Sequence, residues 1–140
     1  MATETTPIAA VGLIPKESPI KVNKSEYLLT VGLPKEVSDQ EKRVVITPES
    51  VGLLTNNGIQ VVIESGAGLN AKFTDQDYSD AGAKVSYSRK EVFASQLVLK
   101  VDPPSVEEIN FMTQGSCLIS ALQGGRQSKE FFLALNEKKI

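Results

Sequence analysis

The 140-residue sequence has no histidine, no tryptophan and a single cysteine. The missing histidine removes Ser-His and Cys-His catalysis, imidazole zinc sites and the side chain that most often moves protons near neutral pH. Chemistry must therefore rest on Lys, Arg, Asp, Glu, Tyr or Gln. One cysteine excludes an internal disulfide, and its place inside the apolar run "SCLISAL" makes Cys117 read as a buried small hydrophobe. An excess of charge of either sign is also missing: the net charge is -2, with no basic patch for nucleic acid and no basic amphipathic run for a membrane surface. No apolar stretch is long enough to span a bilayer, and the N-terminus, interrupted by Pro7, Pro15 and Pro19, lacks the basic and apolar regions of a signal peptide. A cytoplasmic location is therefore expected.

What is present suits one globular domain. Hydrophobic residues are 41% and charged residues 23% of the chain, ordinary for a soluble protein. Residues 1–26 read as an irregular arm whose Ile8, Val11, Leu13 and Ile14 pack on the domain, on a neighbour, or on nothing. Residues 27–140 read as the folded domain. Strand candidates are "YLLTVGL", "IQVVIE", a short one from Ala83 to Tyr87, "QLVLKV" and "SCLISAL". Between them come helix starts. Thr47 caps ahead of Pro48, Thr74 caps "DQDYSDA", Ser88 with Glu91 and Ser105 with Glu108 form capping boxes, and Ser128 opens the last helix. The expected inward faces are Val51 with Leu54, then Val106, Ile109 and Met112, then Phe131, Phe132 and Leu135. Continuously apolar strands alternating with helices predict an α/β domain: a doubly wound, mostly parallel sheet with helices on both faces. The chain stops after "NEKKI", where a further strand would begin with Ile140, as though a longer protein had been cut.

Four stretches are candidate sites. "GAGLNA" (66–71) matches Gly-x-Gly-x-x-Ala after a strand, but a dinucleotide fingerprint opens directly into a helix and is followed by an acidic residue ~20 positions on. Neither feature is clear here, so the stretch reads as a glycine-rich turn. "QGGRQS" (123–128) ends a strand, where open α/β sheets bind ligands, and offers Gln123 and Arg126. "LKVDPPS" (99–105) carries Lys100 inside an apolar strand and Asp102 at its end; Lys100 is either a ligand group or a snorkelling lysine. Arg43, in "VSDQEKRVVITP", follows the first strand and is either a planar fork for a carboxylate or a solvated charge paired with Glu41.

Taken together, "GLPKE", "E-x-R-V-x-x-T-P", "V-x-x-E-S-G-A-G", "F-x-D-x-D-Y-x-x-A-G-A" and "LKVDPP" resemble the opening of alanine dehydrogenases and of pyridine nucleotide transhydrogenase α subunits, from about Leu29 to Ile140. The resemblance implies a flavodoxin-like, substrate-side domain of the alanine dehydrogenase type. It also implies a Rossmann domain beyond Ile140 that binds NAD(H), with no cofactor in this chain. The intact enzyme would interconvert L-alanine with pyruvate and ammonia, and the lone chain would be inactive. The Arg matching Arg43 would grip the substrate carboxylate. Two family positions differ here: the substrate-binding Lys falls on Asp102 and the His on Gln123. An Asp adds a negative charge where a carboxylate ligand is expected, and a Gln hydrogen-bonds a carbonyl without donating a full proton. By resemblance, then, Gln123 and Lys100 orient the reacting group, while Arg43 and Asp102 bind substrate. The implied partners are a small 2-oxo or amino acid and the chain's own Rossmann domain or a partner subunit, with homo-oligomers possible. Neither nucleic acid nor membrane insertion is expected. A transhydrogenase α subunit and a non-catalytic ligand-binding or interaction domain remain as alternatives.

Overall fold

The computed structural model describes residues 29–123 and 125–140; the arm at 1–26 lies outside them. Five parallel strands form one sheet: β1 (Leu29–Leu33), β2 (Ile59–Glu64), β3 (Lys84–Ser86), β4 (Leu97–Leu99) and β5 (Cys117–Ile119), in the order β3-β2-β1-β4-β5. Helices α1 (Pro48–Asn56), α2 (Asp75–Asp80), α3 (Arg89–Phe93), α4 (Val106–Phe111) and α5 (Lys129–Lys138) fill the crossovers and follow the last strand. The apolar runs of β1, β2 and β4 become the inner parallel strands, with both faces covered. Val31, Leu33, Val61 and Ile63 pack with Val51 of α1 and Tyr78 of α2 on one face. On the other, Val98 packs with Phe93 of α3 and Met112 beyond α4.

Alternating residues explain how β1 serves both layers. Val31 and Leu33 point to one face, and Gly32 points to the other. A side chain at Gly32 would collide with the Val92 carbonyl and the Ser95 side chain of the α3 segment, so the glycine sets how closely α3 approaches the sheet.

Caps form largely where the sequence places them. Thr47 accepts from the Ser50 amide ahead of α1, and Ser105 with Glu108 makes a full box. Thr74 makes an unforeseen full box with Asp77. Ser88 with Glu91 is only half a box: Ser88 accepts from the Glu91 amide, but the Glu91 carboxylate goes to Lys84 and Ser86 Oγ instead. Three burial expectations fail. Cys117 is exposed, because β5 is the outermost strand and α5 packs on α4 rather than over it. Phe132 is 45% exposed while Phe131 is 3% exposed, since helical neighbours point about 100° apart and only one can face α4. Val106 is 39% exposed, at the first turn of α4.

The strand order reverses direction between β1 and β4. The loops after these two strands therefore part to opposite sides, leaving a crevice at the carboxyl edge of the sheet.

Candidate functional site

Arg43 stands on the loop between β1 and α1, and its guanidinium is engaged side-on. Nε donates to Glu41 Oε1 at 2.8 Å and Nη2 to Glu41 Oε2 at 2.7 Å. The Arg43 backbone amide also donates to Glu41 Oε1 at 2.8 Å. Asn70 Nδ2 donates to the Glu41 carbonyl at 3.4 Å, tying the loop to the turn after β2. These charge-assisted bonds from Arg43 pull the Glu41 carboxyl down from 4.5 to about 2. Arg43 is raised in turn, first by Glu41 and to a lesser extent by the charges of Asp102 and Glu36. A side-on pair consumes two of the five guanidinium N–H groups and leaves three. The Arg43 side chain is 75% exposed while that of Glu41 is only 10% exposed, so the free N–H edge faces outward.

That edge borders a cleft of about 200 Å³ lined by Arg43, Asp102, Gln123 and Arg126. Three loops build it: those after β1, β4 and β5. Gln123 and Arg126 share a tight turn in which the Arg126 amide donates to the Gln123 carbonyl at 2.9 Å. Asp102 is half-buried, and no described cation lies within 4.0 Å of its carboxylate.

Lys100 does not reach this cleft. Its side chain is 2% exposed, with Nζ 3.0 Å from Glu36 Oε2 and 4.0 Å from Glu108 Oε2, and it lines a neighbouring depression with Arg89, Glu108 and Phe111 that meets the cleft at Asp102 and Pro103. Glu36 also accepts from the amides of Val101 at 2.6 Å and Asp102 at 3.4 Å. Glu108 accepts from Ser105 N at 2.8 Å and from Arg89 Nη1 at 3.1 Å. Arg89 Nε continues to the Glu64 carboxylate at 3.2 and 3.3 Å. "GLPKE" and "LKVDPP" thus meet as one buried charge network, with Glu36 clamping the backbone that carries Asp102. Sequence reasoning gave Glu36 no role and read Glu108 only as a cap. The apolar strand around Lys100 was the one signal that a buried counter-ion must exist.

The glycine-rich turn offers no seat for a pyrophosphate. The Gly66 amide and Ser65 Oγ already donate to the two oxygens of Asp75, at 2.8 and 2.6 Å. The chain then enters a three-residue 3-10 turn, Leu69–Ala71, rather than an α-helix. Gly68 has a packing reason: a Cβ there would lie 2.6 Å from the Tyr78 ring. Among the described residues no group of three or more His, Cys, Asp or Glu is placed to hold a metal ion.

Comparison with known proteins bears on the family and the fold. The chain is 35% identical over 112 residues to alanine dehydrogenase of Bacillus subtilis, covering 80% of this chain and 29% of that protein. It is 37% identical over 112 residues to NAD(P) transhydrogenase subunit alpha of Haemophilus influenzae, covering 80% of this chain and 22% of that protein. Among solved structures, an L-alanine dehydrogenase superposes with a TM-score of 0.73 at 37% identity, over 78% of this chain and 30% of that one. A transhydrogenase from Sinorhizobium meliloti superposes with a TM-score of 0.68 at 34% identity, over 76% of this chain and 31% of that one. The chain therefore spans under a third of the length of these relatives. The family model described as "Alanine dehydrogenase/PNT, N-terminal domain" matches residues 32–140, and the chain belongs to that family.

Proposed function

We propose that residues 27–140 form the substrate-side domain of an NAD-dependent alanine dehydrogenase, a cytoplasmic enzyme that interconverts L-alanine with pyruvate and ammonia. One observation carries this reading: Arg43, Asp102 and Gln123, more than 20 positions apart in sequence, line one cleft at the point where the strand order reverses. Arg43 uses its remaining N–H edge to bind the substrate carboxylate as a planar fork. Gln123 presents its amide N–H to the keto oxygen, fixing its direction without transferring a proton. Lys100 acts from behind, balancing the Glu36 carboxylate that holds the Asp102 backbone. Hydride transfer belongs to NAD(H) on a Rossmann domain outside this chain, and homo-oligomer formation is proposed for the intact enzyme.

The test is Arg43→Ala in a protein that carries this domain together with its nicotinamide domain. The KM for pyruvate should rise about 10²-fold, as loss of a charge-assisted pair worth ~2–3 kcal/mol requires; an unchanged KM refutes the carboxylate role. The 140-residue chain by itself should not oxidise NADH with pyruvate and ammonium.

A second reading is a transhydrogenase α subunit, favoured by the 37% identity to the Haemophilus influenzae protein and by the absence of a Lys at 102 and a His at 123. Hydride transfer between two nicotinamide nucleotides, with no alanine-dependent NAD reduction, would select it.

A further inference from the structure

We propose that this cleft selects the zwitterion of an α-amino acid, with Asp102 as the seat of the α-ammonium group; the proposal rests on the carboxylate role given to Arg43 above. The cleft's charged groups are unevenly committed. Arg43 is paired with Glu41 but keeps three N–H groups free. Asp102 is half-buried and makes no ion pair within 4.0 Å with a described cation; Arg43 acts on it only as a charge at longer range. A half-buried carboxylate without a partner is costly, and a ligand that brings a cation relieves that cost.

The carboxylate is also held in place. Glu36 accepts the amides of Val101 and Asp102, and Glu36 is fixed in turn by buried Lys100. The backbone at residue 102 is therefore set before any ligand arrives, which lowers the entropy lost on binding. Counted with Glu41, the cleft holds two arginines and two carboxylates, a neutral set. A 2-oxo acid alone would bring one negative charge, bond Arg43 and face Asp102 unfavourably. A small amino acid brings both charges, neutral in sum, and satisfies both ends. At about 200 Å³ the cleft has room for a small amino acid.

The experiment titrates the isotope-labelled 140-residue chain with L-alanine and, separately, with L-lactate, which replaces the ammonium by a hydroxyl. Amide resonances of Val101, Asp102, Gln123 and Arg126 report binding. L-Alanine should bind roughly two- to fivefold tighter than L-lactate, the range of a partly exposed charge pair. Asp102→Asn should abolish that preference, as should Asp102→Ser, with amides outside the cleft unshifted. Arg43→Gln should weaken both ligands alike. Equal affinity in the unmodified chain, or a preference surviving in both Asp102 variants, overturns the ammonium assignment. If Arg43→Gln leaves both affinities unchanged while Asp102→Asn removes the preference, the carboxylate role of Arg43 fails and the ammonium site stands. No binding of either ligand overturns both.

Discussion

Lys100 Nζ lies 3.0 Å from Glu36 Oε2, and the two side chains are 2% and 8% exposed. This pair joins the ends of the two central strands on either side of the crevice. Removing one member strands the other charge out of water, whereas removing both leaves no orphan.

Lys100→Met should therefore destabilise the chain by about 3–5 kcal/mol in urea unfolding, the cost of breaking a buried ion pair. The double change Lys100→Met with Glu36→Gln should recover a substantial part, because the introduced side-chain amide still has an oxygen to accept the Val101 N–H. Additive losses would show that the two groups do not interact.

Glu41 gives a pH prediction. Arg43 holds its carboxyl at about 2, below the ordinary 4.5. A depressed folded value stabilises the native state above 4.5, and that contribution is lost as pH falls from 4.5 through about 2. Carboxyl-carbon NMR should find the Glu41 midpoint near 2, and Arg43→Gln should return it towards 4.5. A midpoint of 4.5 in the unmodified chain would mean that the side-on pair does not form in solution.

The two glycine-rich stretches should respond differently. At Gly68 a methyl group would meet the Tyr78 ring at 2.6 Å and the Phe73 carbonyl at 2.8 Å. Gly68→Ala should cost about 1–3 kcal/mol, as overpacking does. At Gly125 nothing lies within 4 Å of an added Cβ, so Gly125→Ala should stay within about 0.5 kcal/mol. Thermal unfolding of the two variants decides, and equal losses would remove the packing explanation.

Cys117 is exposed on the outermost strand. A maleimide should label it fully in native buffer, at a rate close to that in denaturant, since access rather than unfolding governs the reaction. Protection in native buffer would show that this flank of the sheet is covered in solution.

The strand-helix alternation was legible because each piece carries a local signal. Thr47-Pro48 and Ser105 with Glu108 cap where neighbouring side chains alone reach the free amides. The cleft was legible only in part. Arg43, Asp102 and Gln123 were singled out as strand-end groups, and the fold places strand ends together. Lys100 and Glu36 are 64 positions apart, and nothing local announces which buried charge finds which. The exposure of Cys117 was hidden for a related reason: an apolar run does not say whether its strand is central or at an edge.

By itself, then, the sequence determined the parallel α/β layering, most helix starts and the candidate residues, since capping, periodicity and apolar runs act over a few residues. Tertiary structure decided the rest. Only the strand order β3-β2-β1-β4-β5 brings the loops after β1, β4 and β5 to one cleft. Only packing decided that Arg43 faces outward on Glu41 while Lys100 is buried on Glu36, because the cost of burying a charge depends on partners that the chain order does not name.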